Sequence, residues 1–383
     1  MTSYDPPIQF DDSVEILTLR FVTPALKHIV FPVLSRSGYF RNHVPAGPAI
    51  VTYHGVFPAG YKIRNAALDG NLMEADALRE QLRFLKKHYH VISPEDFLLW
   101  LEREARTDES HAPTLPLARG SVLLTCDDAL RNTLTEMLPI LQELSLSCLF
   151  FAIGESATES STMLWYEELY LMMLEATEPL TLRLPEAGIS FDSITKHEKH
   201  SRWWSIVESL SPFDRESRRG FLDQIRQQLK LSENWKERFI QDPILAARFL
   251  TLDRSGLRKM AAAGMSIGAH TLSHPVLARM SDDMAWREIS ESKTQLEAAL
   301  GQTVPAFAYP FGDAATVTKR DLQLAEKAGF RCAFINVGGG FGSKIDRFAI
   351  PRVHVPAHMK LPEFEAHITG FYRTLRNRFL GGD

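Results

Sequence analysis

Seven apolar runs, each bounded by turn residues and alternating with helical patterns, limit what this 383-residue chain can fold into. They are Ala49-Tyr53, Ser121-Cys126, Ser147-Ile153, Met265-Ala269, Val304-Tyr309, Arg331-Ile335 and Phe348-Val355. Runs that are apolar throughout, rather than at every second residue, suit strands buried on both faces, as in a parallel sheet whose crossovers are helices. Leu78, Leu82 and Leu85 recur at helical spacing within Met73-His88, and Ala285, Ile289, Leu296 and Leu300 do so after the cap Ser281-Asp282-Asp283. Seven such units predict an α/β fold in the form of a closed or nearly closed barrel, with an open doubly wound sheet as the alternative.

The rhythm breaks between about Glu155 and Phe249. That stretch reads as helices with exposed charge around a short β-rich piece at Leu180-Ser190, and we take it as a mainly helical insertion over the barrel mouth. The expected organisation is an N-terminal extension (1–48) packing on the barrel, a barrel built from 49–154 and 250–356, the inserted subdomain (155–249), and a C-terminal helix (357–383). Gly338-Gly339-Gly340 reads as a loop rather than a phosphate cradle, because no helical pattern opens after it.

Composition excludes several classes. With 45% hydrophobic and 23% charged residues the chain is ordinary globular material, and a net charge of -4 leaves no basic excess for neutralising nucleic-acid phosphates. Cys126, Cys148 and Cys332 are odd in number and sit in apolar sequence, which suits buried thiols rather than disulfides or metal ligands. Met1-Asp12 lacks the features of a secretory signal and no run of about 18 apolar residues is present, so a cytoplasmic location is the expectation. The basic, amphipathic stretch Phe371-Phe379 reads as a solvated helix, with peripheral membrane contact as its other reading.

Chemistry gathers where the strands end. Asp127-Asp128 closes one apolar run, His270-Thr271-Leu272-Ser273-His274 follows another, and Tyr309-Pro310-Phe311-Gly312 follows a third. In parallel α/β folds these carboxyl ends are where sites form. Adjacent aspartates diverge, so one can bind a metal while its neighbour addresses the water on that metal. Two imidazoles four residues apart can converge whether the segment forms a helical turn or, with Pro275 next, an irregular one. One or two carboxylates with two imidazoles make a mononuclear metal site with a base to spare.

These residues resemble the NodB-like polysaccharide deacetylases of carbohydrate esterase family four. The family's T-F-D-D-G resembles Thr125-Cys126-Asp127-Asp128-Ala129, its H-[ST]-x-x-H matches His270-Thr271-Leu272-Ser273-His274, and its R-x-P-[FY] resembles Ala308-Tyr309-Pro310-Phe311. Ile50-His54 is similar to the opening strand, and 257–269 to the approach to the second motif. The resemblance runs from about 48 to 356, less the insertion. It implies a distorted (β/α)7-type barrel of the NodB-homology kind, and the long interval between Asp128 and His270 is where the inserted helical subdomain fits.

The resemblance further implies that Asp128, His270 and His274 bind one divalent metal ion, commonly zinc, with cobalt, nickel or iron as alternatives. Asp127 would be the general base, and the Phe311 backbone N–H would help hold the oxyanion. His354 of Arg352-Val353-His354 stands nearest the family's L-x-H and would be the general acid. Ala308 replaces the motif arginine that orients the base, so either another cation such as Arg352 substitutes for it or the base is tuned differently. Ala129 replaces the motif glycine and would require a negative φ. Tyr309, Pro310, Arg352, His54 and Trp165 complete the expected substrate-binding set, Trp165 through sugar stacking. The activity implied is metal-dependent removal of an N-acetyl group from an amino sugar in a glycan or glycan precursor. O-acetyl ester or cyclic-amide hydrolysis and a catalytically silent carbohydrate-binding protein are the alternatives.

Overall fold

A computed structural model describes residues 24–45, 47–104, 117–337 and 346–380. The glycine cluster at 338–340 and the first twelve residues lie outside them. The strands are β1 (Ala49–Tyr53), β2 (His90–Ile92), β3 (Ser121–Cys126), β4 (Leu149–Ala152), β5 (Leu180–Leu184), β6 (Ile189–Ile194), β7 (Ser266–Ala269), β8 (Ala306–Ala308), β9 (Cys332–Ile335), β10 (Ile350–Pro351) and β11 (Val353–His354). All but β5 and β6 form one parallel sheet in the order β10-β9-β8-β7-β4-β3-β1-β11, with β2 pairing with β3 beside that path.

The ends of this order are parts of one extended segment. Ile350 and Pro351 pair with Phe334 and Ile335 on β9, whereas Val353 and His354 pair with Val51 and Thr52 on β1. Residues 350–354 therefore straddle both free edges and seal the sheet into a nearly closed barrel. The open-sheet alternative is excluded. The short β2 was not anticipated; it covers Ser121–Leu123 of β3, while β4 pairs only with Thr125 and Cys126.

Alternation along each strand sorts side chains between two cores. Ile50, Leu123, Phe151, Ala306, Ala308, Phe334 and Ile350 share one cluster with Phe97 and Trp100 of the Pro94–Glu104 helix. Val51, Tyr53, Leu124, Phe150, Ile267, Phe307 and Tyr309 face the surrounding helices instead. Small inward residues accommodate the phenylalanines: a Cβ on Gly268 would lie 2.5 Å from the Phe151 ring. The three cysteines are buried free thiols.

Between β4 and β7 the chain builds helices Trp165–Glu175, Lys199–Leu210, Arg215–Gln228, Glu237–Gln241 and Pro243–Phe249, with the antiparallel β5–β6 hairpin among them. Leu169, Leu182, Ile206 and Ile225 are central to a separate apolar cluster there. Buried Arg248 ties this region to the loop after β1, donating to Asp69 at 2.9 Å, to Glu167 at 3.0 Å and to the Leu68 carbonyl at 2.6 Å. The C-terminal region expected as a single helix is two, Leu361–Ile368 and Phe371–Leu380. Gly370, at φ +70°, turns the chain between them. Phe31 and Phe40 of the N-terminal segment pack against Ala366 and Phe371. Among the described residues no helix is long and apolar enough to cross a membrane.

Candidate functional site

Strand parity assembles the site. His54, Asp127, His270 and His354 continue the inward positions of Ile50, Leu123, Gly268 and Ile350, so alternation alone directs them toward the barrel's mouth. They line a cavity of about 340 Å³ together with Asp128, His274 and Phe311. Tyr309 has the opposite parity. It is fully buried, its hydroxyl donates to the Phe348 carbonyl, and the substrate-binding role expected for it is corrected to one in the helix-facing core. Pro310 is likewise buried and absent from the cavity lining.

Asp128, His270 and His274 are buried, and their potential ligand atoms all lie within 4.8 Å of one another. Asp128 Oδ1 is 3.3 Å from His274 Nε2 and 3.7 Å from His270 Nε2. The His270 Nδ1 sits 2.7 Å from the Ala308 carbonyl; a hydrogen bond donated there leaves Nε2 with its lone pair directed at the cluster. Burial pushes His270 down to about 4, so its imidazole is neutral at ordinary pH, the form that binds a metal. Burial alone would raise the Asp128 carboxyl, but the His274 imidazole beside it, with His54 and His270, holds it well below the usual range. Asp128 Oδ1 is buried without a hydrogen-bond partner, so the donor set fits a cation.

Asp127 is held differently. Arg352 is fully buried and donates from Nη1 and Nη2 to the two Asp127 oxygens at 2.7 Å each, with its guanidinium 5.5 Å from the Phe151 ring centre. Burial would raise the Asp127 carboxyl; the Arg352 charge, followed by His270, more than offsets this and keeps it below its ordinary value. The expectation that Arg352 contacts substrate is therefore corrected: the fork is committed to Asp127. Its position also explains Ala308, since the cation reaches the aspartate from the seam instead of from β8.

His54 Nε2 lies 4.0 Å from Asp127 Oδ2, and the His54 and His354 rings meet edge to face at 5.1 Å. Burial, then the neighbouring His54, pushes His354 down to about 3, so its imidazole is neutral. His54 Nδ1 and His354 Nε2 are buried without hydrogen-bond partners.

The connecting turns are left-handed at several non-glycine residues: Asp128, Thr271, His274 and Phe311 have φ between +60° and +69°. Ala129 is at +46°, against the negative φ expected of it. Such backbone is costly for residues with a Cβ and collects at functional sites. Ala129→Gly would relieve roughly 1–2 kcal/mol of left-handed strain while losing a buried methyl worth about 0.8 kcal/mol. The expected outcome is a stability within about 1 kcal/mol of the parent in chemical denaturation; a loss above about 2 kcal/mol would refute this balance.

The His270–His274 turn is braced from the helix Asp282–Leu300 that follows it and from the helical region before it. Ser273 N and Oγ donate to Glu288 at 2.8 and 2.5 Å, and Arg218 donates to Ser273 Oγ. Trp165 Nε1 donates to the His274 carbonyl at 3.0 Å, and its ring lies by Arg218 in a second, smaller cavity. Trp165 thus supports the loop from behind, which corrects its expected place on the sugar. Its neighbour Tyr166 faces the main cavity, 4.7 Å from the His274 ring. Trp204, which packs 5.0 Å from Phe311, joins Tyr166 on this wall through the placement of its helix, which helical spacing alone does not reveal.

A family model described as polysaccharide deacetylase matches residues 115–333. YxkH of Bacillus subtilis strain 168, a protein named after the same family, is 26% identical over 117 residues, spanning 30% of this chain and 41% of that protein. The structure of the Streptococcus pyogenes deacetylase PplD in complex with acetate superimposes with a TM-score of 0.51 at 17% identity, over 85% of this chain and 99% of that one. The likeness to PplD establishes the fold, and the family match covers the strands that carry both aspartates and both motif histidines. On that match, the chain belongs to the polysaccharide deacetylase family.

Proposed function

We propose that this protein is a metal-dependent hydrolase that removes an N-acetyl group from an amino sugar in a glycan or glycan precursor. The observation that carries this reading is the pairing, at one cavity, of a buried, closely grouped donor set (Asp128, His270, His274) with a second carboxylate, Asp127, whose orientation is fixed by two guanidinium hydrogen bonds. A carbohydrate-binding protein has no use for that base. Residues 49–154 and 250–356 would form the catalytic unit, with 155–249 inserted over its mouth.

Asp128, His270 and His274 would hold a divalent ion, zinc by the character of an imidazole and carboxylate set. When bound, such an ion supplies Lewis acidity at the acyl oxygen and acidifies the attacking water. Asp127 accepts the water's proton; each of its oxygens keeps a lone pair beyond the one engaged by Arg352. The Phe311 backbone N–H donates to the acyl oxygen as negative charge develops. The proton that Asp127 took from the water passes by way of His54, whose Nε2 lies 4.0 Å from it, and His354 to the nitrogen as the C–N bond breaks, giving acetate and a free amine. His354, neutral at rest, passes a proton instead of storing one.

Acetate release from a panel of N- and O-acetylated sugars tests this directly. Release from N-acetylated sugars should disappear with a chelator and return with zinc or cobalt. Release from O-acetylated sugars alone would replace the amide reading with an ester one, and no release from metal-loaded protein would overturn hydrolysis of this substrate class.

A further inference from the structure

The cavity wall opposite the aspartates comes from the helical region between β4 and β7. Tyr166 and Tyr170 extend from the Trp165–Glu175 helix, and Trp203 and Trp204 from Lys199–Leu210. Their rings make a continuous arc that reaches the candidate metal ligands. Trp203 meets Tyr170 at 5.2 Å, Trp204 meets Phe311 edge-on at 5.0 Å, and Phe311 meets the His274 ring at 4.9 Å. Trp203 Nε1 donates to the Tyr166 carbonyl at 2.7 Å, locking one helix to the other. Trp203 and Trp204 remain half-buried, so ring surface is left for a ligand.

The charges around this arc are selective. Among the described residues lining the cavity there is no lysine or arginine, while Glu167 and Asp313 contribute carboxylates beside the two aspartates. The guanidiniums nearby are committed: Arg352 to Asp127, and Arg248 to Glu167 and Asp69. An anionic sugar would find only imidazoles, His200 beside Trp203 among them, and no lysine or arginine along the described wall, whereas an uncharged pyranose presents C–H faces that suit an indole. A volume of about 340 Å³ also lies at the low end of the roughly 300–1,000 Å³ typical of small-molecule sites.

We infer that Trp204, with Trp203, is the stacking platform on which an uncharged acylamino sugar ring rests while its acyl group enters the site, and that this wall determines substrate class. The inference rests on the deacetylase reading for what happens to the bound sugar, but its binding component stands apart from turnover. In Asp127→Asn protein, which holds ligand without consuming it, a neutral N-acetylglucosamine oligosaccharide is titrated calorimetrically. Adding Trp204→Ala should weaken binding about tenfold, the scale of one large aromatic contact. Trp204→Phe should recover most of that, and a uronate-bearing oligosaccharide of equal length should bind more weakly to the parent. Unchanged affinity in Trp204→Ala, or equal affinity for the uronate oligosaccharide, overturns the proposal. In the otherwise unaltered enzyme, Trp204→Ala should raise KM for the sugar far more than it lowers kcat, as expected of lost ground-state binding, and Trp204→Phe should restore KM; a loss confined to kcat would make Trp204 merely structural. Failure of the parent to release acetate from any sugar, with these affinities as expected, counts against the deacetylase reading alone.

Discussion

Asp127→Asn should reduce kcat for acetate release by about 10²–10⁴-fold, the range spanned by a positioned general base. An amide cannot take the water's proton, yet it nearly matches the carboxylate in size, so the cavity is preserved. The three candidate metal ligands are untouched, and metal stoichiometry should stay at the parent's value. The substitution leaves Arg352 buried without its counter-charge, so some stability will be lost as well. For that reason the measurement is kcat on metal-loaded protein well below its melting temperature. Retention of a tenth or more of the parent rate would remove Asp127 from the role of base.

Arg352→Met should be the most destabilising of the substitutions considered, because it abandons a buried carboxylate. Breaking a buried ion pair from one side typically costs about 3–5 kcal/mol, readable as a shift in denaturation midpoint. The pH behaviour follows from the same pair. In the intact protein the guanidinium holds Asp127 below its ordinary value against the upward push of burial. With the guanidinium gone, burial acts with less opposition and the carboxyl rises. The base is then ionised only at higher pH, so the acidic limb of kcat/KM moves to higher pH. An unmoved limb would show that another group sets it. Combining Arg352→Met with Asp127→Asn should cost less than the sum of the two, as expected of direct partners. Adding Ala308→Arg to Arg352→Met tests the altered origin of the cation: partial recovery of rate and of the acidic limb would show that the aspartate can be served from either strand.

Much of this barrel was legible in the sequence because strands buried on both faces are apolar throughout, and all seven runs contain strand. What could not be read was pairing. Phe348-Val355 is a single run in sequence, yet its halves bond to different neighbours, β9 and β1, and nothing local to the run encodes that division. The sequence places Asp127, Asp128, His270 and His274 directly after strands, and the structure brings them together at one cavity. Tyr309 could have been sorted correctly: it lies one residue from inward-facing Ala308, so parity sends it the other way. Trp165 and Tyr166 are a harder case. They leave the start of one helix in different directions, and which faces sugar depends on the placement of a helical region that no motif describes.

The segment at 350–354 also gives the site an order of construction. Ribosomal synthesis proceeds from the amino end, so the nascent chain contains Asp128, His270 and His274 well before Arg352 is made. Until Ile350–His354 docks along both edges, the base has neither its guanidinium partner nor its neighbour His354. On the proposed chemistry, Asp127 would gain both partners only when that last segment is in place. If the proposed chemistry holds, turnover would depend on the chain's last barrel segment as well as on its motif residues.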